Sequence, residues 1–198
     1  MGLLGSARSR GTQDQVTPYA RWIRPHLQCY LWLRWRWNPV TYVAPINGPD
    51  ELAVIRTLFH EYARSLEIDL EYQGFTAEVS GLPGAYAPPF GALLLARHDD
   101  GPAGCVALRR LREEVCEMKR LFVRPQHRGT GLGARLVQSA IETGRALGYA
   151  EMWLDTLPSM LGAHRLYESL GFHEIAPYGE SFAPGSRFYG IRLSPDSL

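Results

Sequence analysis

The chain has 198 residues, of which 45% are hydrophobic and 21% charged, and its formal net charge is +1; this profile is typical of one globular domain. The near-neutral charge excludes a strongly basic protein of the kind that binds nucleic acid. No apolar run approaches the ~20 residues that a membrane-spanning helix needs, so we expect neither a nucleic-acid nor a membrane partner. The three cysteines (Cys29, Cys105 and Cys116) have no metal-ligand spacing, and their odd number argues against a disulfide framework and favours a reducing, cytoplasmic location.

Residues 1–38 differ in composition from the rest of the chain. They carry six arginines, four tryptophans and one acidic residue, whereas residues 39–198 carry 15 basic and 19 acidic side chains. This composition predicts a disordered, Arg- and Trp-rich N-terminal extension, followed by a folded domain over residues 39–198. An organelle transit peptide, or a Trp-rich segment that covers the domain or a partner, stays open as an alternative.

From residue 39 onward the hydrophobic pattern predicts regular elements. Residues 40–46 are predicted to form a strand, and Asp50 is expected to cap a helix that reaches residue 66. Three strand-like runs follow, over residues 91–97, 104–111 and 115–123. Because short polar turns separate these runs, we expect antiparallel hairpins.

The second half of the chain predicts alternating helices and strands. A helix is expected to end at residue 147 before Gly148, and another, over residues 159–170, before Gly171. Strands are predicted over residues 151–155, 172–175 and 187–193. This order predicts an α/β (α+β) fold with a single domain, in which helices flank a mixed, mostly antiparallel central sheet.

The glycine-rich turn after the strand 115–123 is the most informative segment. Residues 126–134 read QHRGTGLGA and lead into an amphipathic helix. Free backbone N–H groups at a helix N-terminus bind phosphate groups, and glycines let the backbone approach an anion closely. Arg128 adds a positive charge. The segment therefore predicts a binding site for a pyrophosphate, unless the glycines only form a tight turn.

Two other phosphate-binding motifs can be compared with this turn. A P-loop requires Gly-Lys-Ser/Thr, but Lys119, which is the only lysine of the chain, lies before the turn. The dinucleotide-binding fingerprint fits better, because Gly129, Gly131 and Ala134 have its spacing and Asp155 follows at a suitable distance. Against it, a central parallel strand should be apolar on both faces. The strand before the turn instead contains three charged residues: Glu117, Lys119 and Arg120.

Two segments together resemble the GNAT superfamily of N-acetyltransferases. The turn matches its acetyl-CoA signature, Arg/Gln-x-x-Gly-x-Gly/Ala, in two frames that start at Gln126 and Arg128. Residues 166–172, LYESLGF, resemble its second hallmark, a tyrosine-bearing helix that ends at Gly-Phe. The resemblance covers about residues 39–198. It implies a GNAT-type domain with N-acetyltransferase activity, which takes acetyl-CoA as cosubstrate and needs no metal.

The resemblance also implies which residues contact the cofactor. They belong to the strand end and to the loop and helix start that follow: Leu121, Phe122, Val123, Arg128, Gly129, Thr130, Gly131, Leu132, Gly133 and Ala134. The first three would offer backbone groups to the pantetheine arm. Many members carry an asparagine seven residues before the tyrosine, whereas this chain has Met160. That contact is therefore lost or made by another residue, for instance Ser159.

Glu117 is the candidate general base. An alkyl ammonium has a pKa near 10, so a group or a water chain must accept its proton before the amine can attack a thioester. Certain GNAT enzymes carry their base at the position equivalent to Glu117. The alternative is an ordinary ion pair with Lys119 or Arg120 on a solvated face.

Tyr167 is the candidate for stabilising the leaving group. Ala163, Leu166, Tyr167 and Leu170 share one helical face, so the ring should point inward. The resemblance implies that its hydroxyl protonates the departing CoA thiolate. The alternative is a core tyrosine whose hydroxyl is satisfied by a neighbour.

The acceptor site is expected opposite the CoA groove, where aromatic residues are frequent and favour a small-molecule or amino-acid-like amine. These residues are Tyr62, Tyr72, Phe75, Tyr86, Phe90, Tyr178, Phe182 and Tyr189. His127 and His164 are predicted to be exposed, and no pair of histidines has zinc-ligand spacing, so no metal is expected. A homodimer is compatible with the sequence. A dinucleotide-binding oxidoreductase-type domain and a catalytically silent acyl-CoA-binding module remain as alternatives.

Overall fold

The computed structural model describes residues 41–66, 68–179 and 182–193, which form a sheet with helices on both faces. The strands are β1 (Tyr42–Pro45), β2 (Ala92–His98), β3 (Gly101–Arg110), β4 (Val115–Val123), β5 (Glu151–Thr156), β6 (His173–Glu174) and β7 (Arg187–Arg192). The helices are α1 (Gly48–Arg64), α2 (Phe75–Ser80), α3 (Leu132–Ala146) and α4 (Leu161–Ser169), with short 3₁₀ turns at Glu71–Gln73, Gly84–Tyr86 and Pro125–His127. The predicted disordered extension over residues 1–38 lies outside the described residues.

The described strands form one seven-stranded sheet in the order β1-β2-β3-β4-β5-β7-β6. Only β4 and β5 pair in parallel, and every other neighbouring pair is antiparallel. The prediction of a mixed, mostly antiparallel sheet is therefore confirmed. The dinucleotide-binding alternative is wrong, because the strand before the glycine-rich turn pairs antiparallel with β3 and is not the central strand of a parallel sheet.

Each face of the sheet supports its own hydrophobic core, because side chains alternate along each strand. Leu94 and Ala96 of β2 pack with α3 and α4, whereas Leu93 and Leu95 pack with α1 and α2. Cys105 and Cys116 are buried, one in each core, as the sequence predicts. Among the described residues, no helix is long and apolar enough to cross a bilayer.

Two helix starts differ from the prediction. The helix α1 begins at Gly48 with Asn47 as its N-cap, so Asp50 lies inside the first turn, where its charge favours the helix dipole. The backbone N–H of Asn47 donates to the carboxylate of Glu51. The N-terminus of α1 is therefore stabilised by Glu51, and Asp50 does not act as its cap. The helix α4 begins at Leu161, two residues after the predicted start.

A β-bulge in β4 opens the sheet beside the glycine-rich turn. Cys105 pairs with Phe122 and Ala107 with Lys119, so one residue of β3 opposes two residues of β4. The bulged residue Arg120 has a φ of +56°, which is uncommon for a residue other than glycine. Bulges bend the strand that contains them. The pairing between β4 and β5 ends at Glu117 and Trp153, although both strands continue beyond these residues. A cleft lies between the unpaired parts of the two strands.

Candidate active site

The glycine-rich loop leaves a row of backbone N–H groups without partners. From residue 129 to residue 134, no N–H donates a hydrogen bond within the described chain. The N–H of Arg135 is the first to bond, to the carbonyl of Gly131 at 3.2 Å. Unpaired donors at a helix N-terminus bind anions, and the helix dipole adds to the attraction. The loop therefore has the donors that a diphosphate needs.

The space above this loop is open. Gly129 and Gly131 have φ values of +74° and +82°, which glycine adopts without a steric penalty. A Cβ added at either position would meet no atom within 4 Å. Gly133 differs from these two, since a Cβ there would lie 3.4 Å from a methyl group of Leu166 in α4.

The remaining residues predicted to bind the cofactor are fixed by local contacts. Arg128 is exposed, and its Nε donates to the carbonyl of Val123 at 3.0 Å. The hydroxyl of Thr130 donates to the carbonyl of His127 at 2.8 Å. Four other members of the set lie in or beside the two cores, so that their backbone is the part offered to a ligand: Leu121, Phe122, Val123 and Leu132. Ala134 is half-buried.

Tyr167 lies in the cleft between β4 and β5, and the glycine-rich loop follows β4 in the chain. It is 5% exposed, and its ring packs against Phe172 and Tyr189. Its hydroxyl makes no hydrogen bond within the described part of the chain, although the side chain lines the cleft. Burial, followed by the nearby Tyr62 and Asp155, raises its pKa above the ordinary value of 10. The phenol therefore stays protonated and has a free donor.

Residues around the start of α4 form the far wall of this cleft. Met160, which stands seven residues before Tyr167, lines the cleft. His164 was predicted to be exposed, and that prediction is wrong. It is buried, and both ring nitrogens have partners there: Nε2 lies 2.9 Å from the carbonyl of Leu157, and Nδ1 lies 3.4 Å from Nη1 of Arg187. These contacts fix the segment between β5 and α4 that carries Met160.

Glu117 is the centre of a buried charged cluster. Only 2% of its side chain is exposed; Arg109 Nε donates to its Oε2 at 2.6 Å, and the Tyr178 hydroxyl donates to its Oε1 at 3.0 Å. Lys119 Nζ lies 3.7 Å from the same Oε1 and 3.5 Å from Asp155. Glu117 therefore pairs with Lys119, as the alternative supposes, but the pair is buried and does not lie on a solvated face. Burial, followed by the charge of Glu117, raises the pKa of Tyr178 far above its ordinary value.

A second buried ion pair supports the bulge. Both Nε and Nη2 of Arg120 bind the carboxylate of Glu78, at 2.9 and 2.6 Å, and Nη1 donates to Gln73. Two-pronged pairing of this kind fixes the guanidinium plane. The Tyr86 hydroxyl also donates to Glu78. The strained backbone of Arg120 is thus stabilised by contacts between β4 and α2.

Comparison with known proteins identifies the family. The acetyltransferase (GNAT) family profile matches residues 52–172. An uncharacterized N-acetyltransferase of Schizosaccharomyces pombe is 38% identical over 154 residues, which cover 77% of this chain and 94% of that protein. The chain belongs to the GNAT family. It is therefore an acyltransferase, and the predicted resemblance is confirmed.

Solved GNAT structures share the fold. An acetyltransferase of the GNAT family from Staphylococcus aureus aligns with a TM-score of 0.66 and 21% identity, over 78% of this chain and 100% of the other. A putative acetyltransferase from Salmonella typhimurium, solved with its cofactor acetyl-CoA, aligns with a TM-score of 0.58 and 18% identity, over 80% of this chain and 96% of the other. At such identities the likeness establishes the GNAT fold alone.

The eight aromatic residues that were predicted to form the acceptor site do not line a single cavity. Tyr62 and Tyr72 line the cleft, and Tyr178 and Phe182 line a neighbouring cavity that Glu117 also lines. The other four residues line neither space: Phe75, Tyr86, Phe90 and Tyr189. Only part of the predicted set therefore faces a possible substrate.

Sequence reasoning missed several contacts of the site. Neither Arg109 nor Tyr178 was predicted to bind Glu117, although Tyr178 was expected among the aromatic residues of the acceptor site. His127 was predicted to be a solvated loop residue, but it is buried against His98, with ring centroids 4.8 Å apart. Asp100 lies close to both rings. Spacing along the chain therefore did not reveal which histidines meet.

Proposed function

We propose that the chain transfers the acetyl group of acetyl-CoA to the amino group of a small molecule. One observation carries this proposal. A row of unpaired amides, from residue 129 to residue 134, follows the strand β4, and β4 also lines a cleft that contains the unpartnered hydroxyl of Tyr167. A diphosphate at one end and a thioester at the other end of a single extended ligand match these two features.

Acetyl-CoA fits the groups that line this path. Hydrogen bonds to a charged acceptor contribute about 1.5–3 kcal/mol each, so three or four of the loop amides would hold the pyrophosphate without a lysine. The pantetheine arm would follow the strand end at Leu121, Phe122 and Val123, on the side where β4 has no partner strand. The buried hydroxyl of Thr156, which also lacks a partner in the described chain, lines the same cleft.

Glu117 would accept the proton of the attacking amine, directly or through a water molecule. A carboxylate has about four acceptor positions, and Arg109 and Tyr178 occupy one on each oxygen. Both oxygens therefore keep room for a further donor. With its proton removed, the amine nitrogen attacks the thioester carbonyl, and a tetrahedral intermediate forms. Its collapse breaks the C–S bond and releases the CoA thiolate, and the second proton of the nitrogen passes to that thiolate or to water, which leaves the amide.

Tyr167 would stabilise that thiolate by donating a hydrogen bond to sulfur. A thiol has a pKa near 8.5, whereas burial raises the pKa of Tyr167 above 10. Complete proton transfer from the phenol is therefore uphill, and the main contribution of the hydroxyl is a hydrogen bond. Loss of the hydroxyl should slow the reaction without abolishing it.

The acceptor would enter the cavity beside Glu117. This cavity has a volume of about 200 Å³, which suits a small amine better than a long chain. Tyr178 and Phe182 provide an apolar wall, and Arg109 and Lys119 provide positive charges next to Glu117. A small amine that also carries an anionic group matches this mixture, so an amino-acid-like acceptor is favoured. Homodimerisation and a cytoplasmic location remain predictions from the sequence.

A two-step experiment tests this function. Titration calorimetry should detect binding of acetyl-CoA and CoA, with no binding of NAD. Thiol release from acetyl-CoA should then be measured with a panel of small primary amines, amino acids and peptides. Release that depends on a small amine supports the proposal. Binding of NAD alone, or turnover only with peptide tails, would contradict it.

A further inference from the structure

Three metal-ligating side chains converge at the end of the β2–β3 hairpin. His98 ends β2, Asp100 lies in the hairpin turn, and His127 ends the 3₁₀ turn that precedes the glycine-rich loop. One ligand atom of each residue lies within 4.8 Å of the other two. We propose that these residues bind a divalent transition metal ion, with Zn²⁺ as the best match to two imidazoles and one carboxylate.

The distances suit an ion of this size. Asp100 Oδ1 lies 2.8 Å from His98 Nδ1 and 3.6 Å from His127 Nε2. Zinc–ligand bonds are about 2.0–2.2 Å long, so two ligands of a tetrahedral ion lie about 3.4 Å apart. The two observed distances lie on either side of this value. Small rotations of the exposed Asp100 and of His98 would complete the geometry, with water in the remaining position.

His127 keeps its ring nitrogens available for a ligand. Its side chain is 8% exposed, and neither ring nitrogen makes a hydrogen bond within the described part of the chain. The 3.6 Å separation between His127 Nε2 and Asp100 is too long for a hydrogen bond. A metal ion between the two side chains would bond to a ring nitrogen that has no hydrogen-bond partner among the described residues.

The backbone that carries the three ligands is fixed independently of them. The backbone N–H of Arg124 donates to the carbonyl of Ala103 at 2.9 Å. The Nη1 of Arg124 donates to the carbonyl of Pro102 at 2.7 Å. The same guanidinium binds both oxygens of Glu61 in α1. These bonds hold the 3₁₀ turn against the start of β3. The site is therefore largely formed before an ion arrives, which reduces the entropic cost of binding.

The ion would join the hairpin to the segment that leads into the glycine-rich loop. The carbonyl of His127 accepts the Thr130 hydroxyl at 2.8 Å, so ligation of His127 would also restrain Thr130. The site lies outside the cleft that holds Tyr167, since none of its three residues lines that cleft. Metal binding is therefore measurable whether or not the proposed acetyl transfer is correct.

Titration of the full-length chain tests this inference. After treatment with a chelator and removal of the chelator, the protein is titrated with Zn²⁺ by calorimetry and with Co²⁺ by visible absorption. We expect one ion per chain, with a Kd that is roughly micromolar or tighter. His98→Gln and Asp100→Asn should each weaken binding at least about tenfold. Zn²⁺ at about one hundred times its Kd should raise the Tm of the unaltered chain by about 5 °C or more.

Matched controls separate this site from other metal-binding groups. His60→Gln and His173→Gln remove exposed histidines elsewhere and should leave binding unchanged, as should the double substitution of His26 and Cys29 by Gln and Ser. His98→Gln is the primary variant because its partly exposed ring is not needed for folding, which circular dichroism checks. Absence of binding by the unaltered chain, or equal binding by the His98→Gln variant, would overturn the inference.

Discussion

The two halves of the proposed active site are built from different parts of the chain. The cofactor half consists of backbone N–H groups from one continuous segment, residues 129–134, and it is open to solvent. The acceptor half consists of side chains from three separate segments, β3, β4 and the loop between β6 and β7, around Glu117, which is almost fully buried. The partners of that carboxylate are Arg109, Lys119 and Tyr178.

This difference predicts opposite sensitivities to substitution. A site made of backbone groups tolerates changes in neighbouring side chains but fails when bulk or negative charge covers the amides. A site made of buried, hydrogen-bonded side chains fails when one atom changes, because its partners lose their bonds. Four substitutions examine this contrast, each in the full-length chain.

The largest effect should come from Glu117→Gln. An amide cannot accept the amine proton, so kcat/KM should fall about 10²–10⁴-fold, and the pH–rate profile should lose its acidic limb. Glu78→Gln is the matched control, since Glu78 is a half-buried carboxylate that an arginine binds beside the same cavity. The control should lower the Tm but keep the acidic limb. An unchanged profile in the Glu117→Gln variant would remove Glu117 from the mechanism.

Gly131→Glu should weaken acetyl-CoA binding about a hundredfold or more. The added carboxylate would repel the pyrophosphate and cover the amides, and the loss of two charge-assisted bonds accounts for this magnitude. Gly148→Glu is matched closely, because Gly148 has a φ of +85°, also has free space around it, and lies at the other end of α3. Calorimetry should give unaltered affinity for that control. Full affinity in a folded Gly131→Glu variant would contradict the assigned groove.

Tyr167→Phe should lower kcat about tenfold and leave the Kd for acetyl-CoA nearly unchanged. This magnitude corresponds to one hydrogen bond to a developing charge. Tyr189→Phe removes a hydroxyl from the adjacent ring, but that hydroxyl donates to Glu168, so its kcat should not change. Equal rates for the Tyr167→Phe variant and the unaltered chain would make Tyr167 a core residue only.

The same contrast explains how much the sequence could predict. The loop was found because its glycines and the following helix are contiguous, so local pattern and local structure coincide. The sheet was found because hairpin turns between its strands are short. His127 was misjudged because its burial depends on His98, which lies 29 residues earlier in the chain.

One missed contact could have been derived from the sequence. The N–H of Leu111 donates to the carbonyl of Val115, so the tight turn between β3 and β4 pairs Arg109 directly with Glu117. Opposite charges at directly paired positions attract each other, and the predicted hairpin contained both residues. Tyr178 could not have been found in this way, because it reaches Glu117 from a loop 61 residues later. No local pattern sets that distance.

The smallest effect is expected for Arg128→Ala, and it separates backbone from side-chain recognition of the phosphates. Arg128 is exposed, and its Nε is bonded to the carbonyl of Val123, so solvent screens its charge. Its removal should raise the Kd for acetyl-CoA less than about tenfold, with a weaker dependence on salt. Arg145→Ala, near the opposite end of α3, should change neither quantity. A hundredfold loss with Arg128→Ala would mean that the guanidinium, and not the amides of residues 129–134, holds the pyrophosphate.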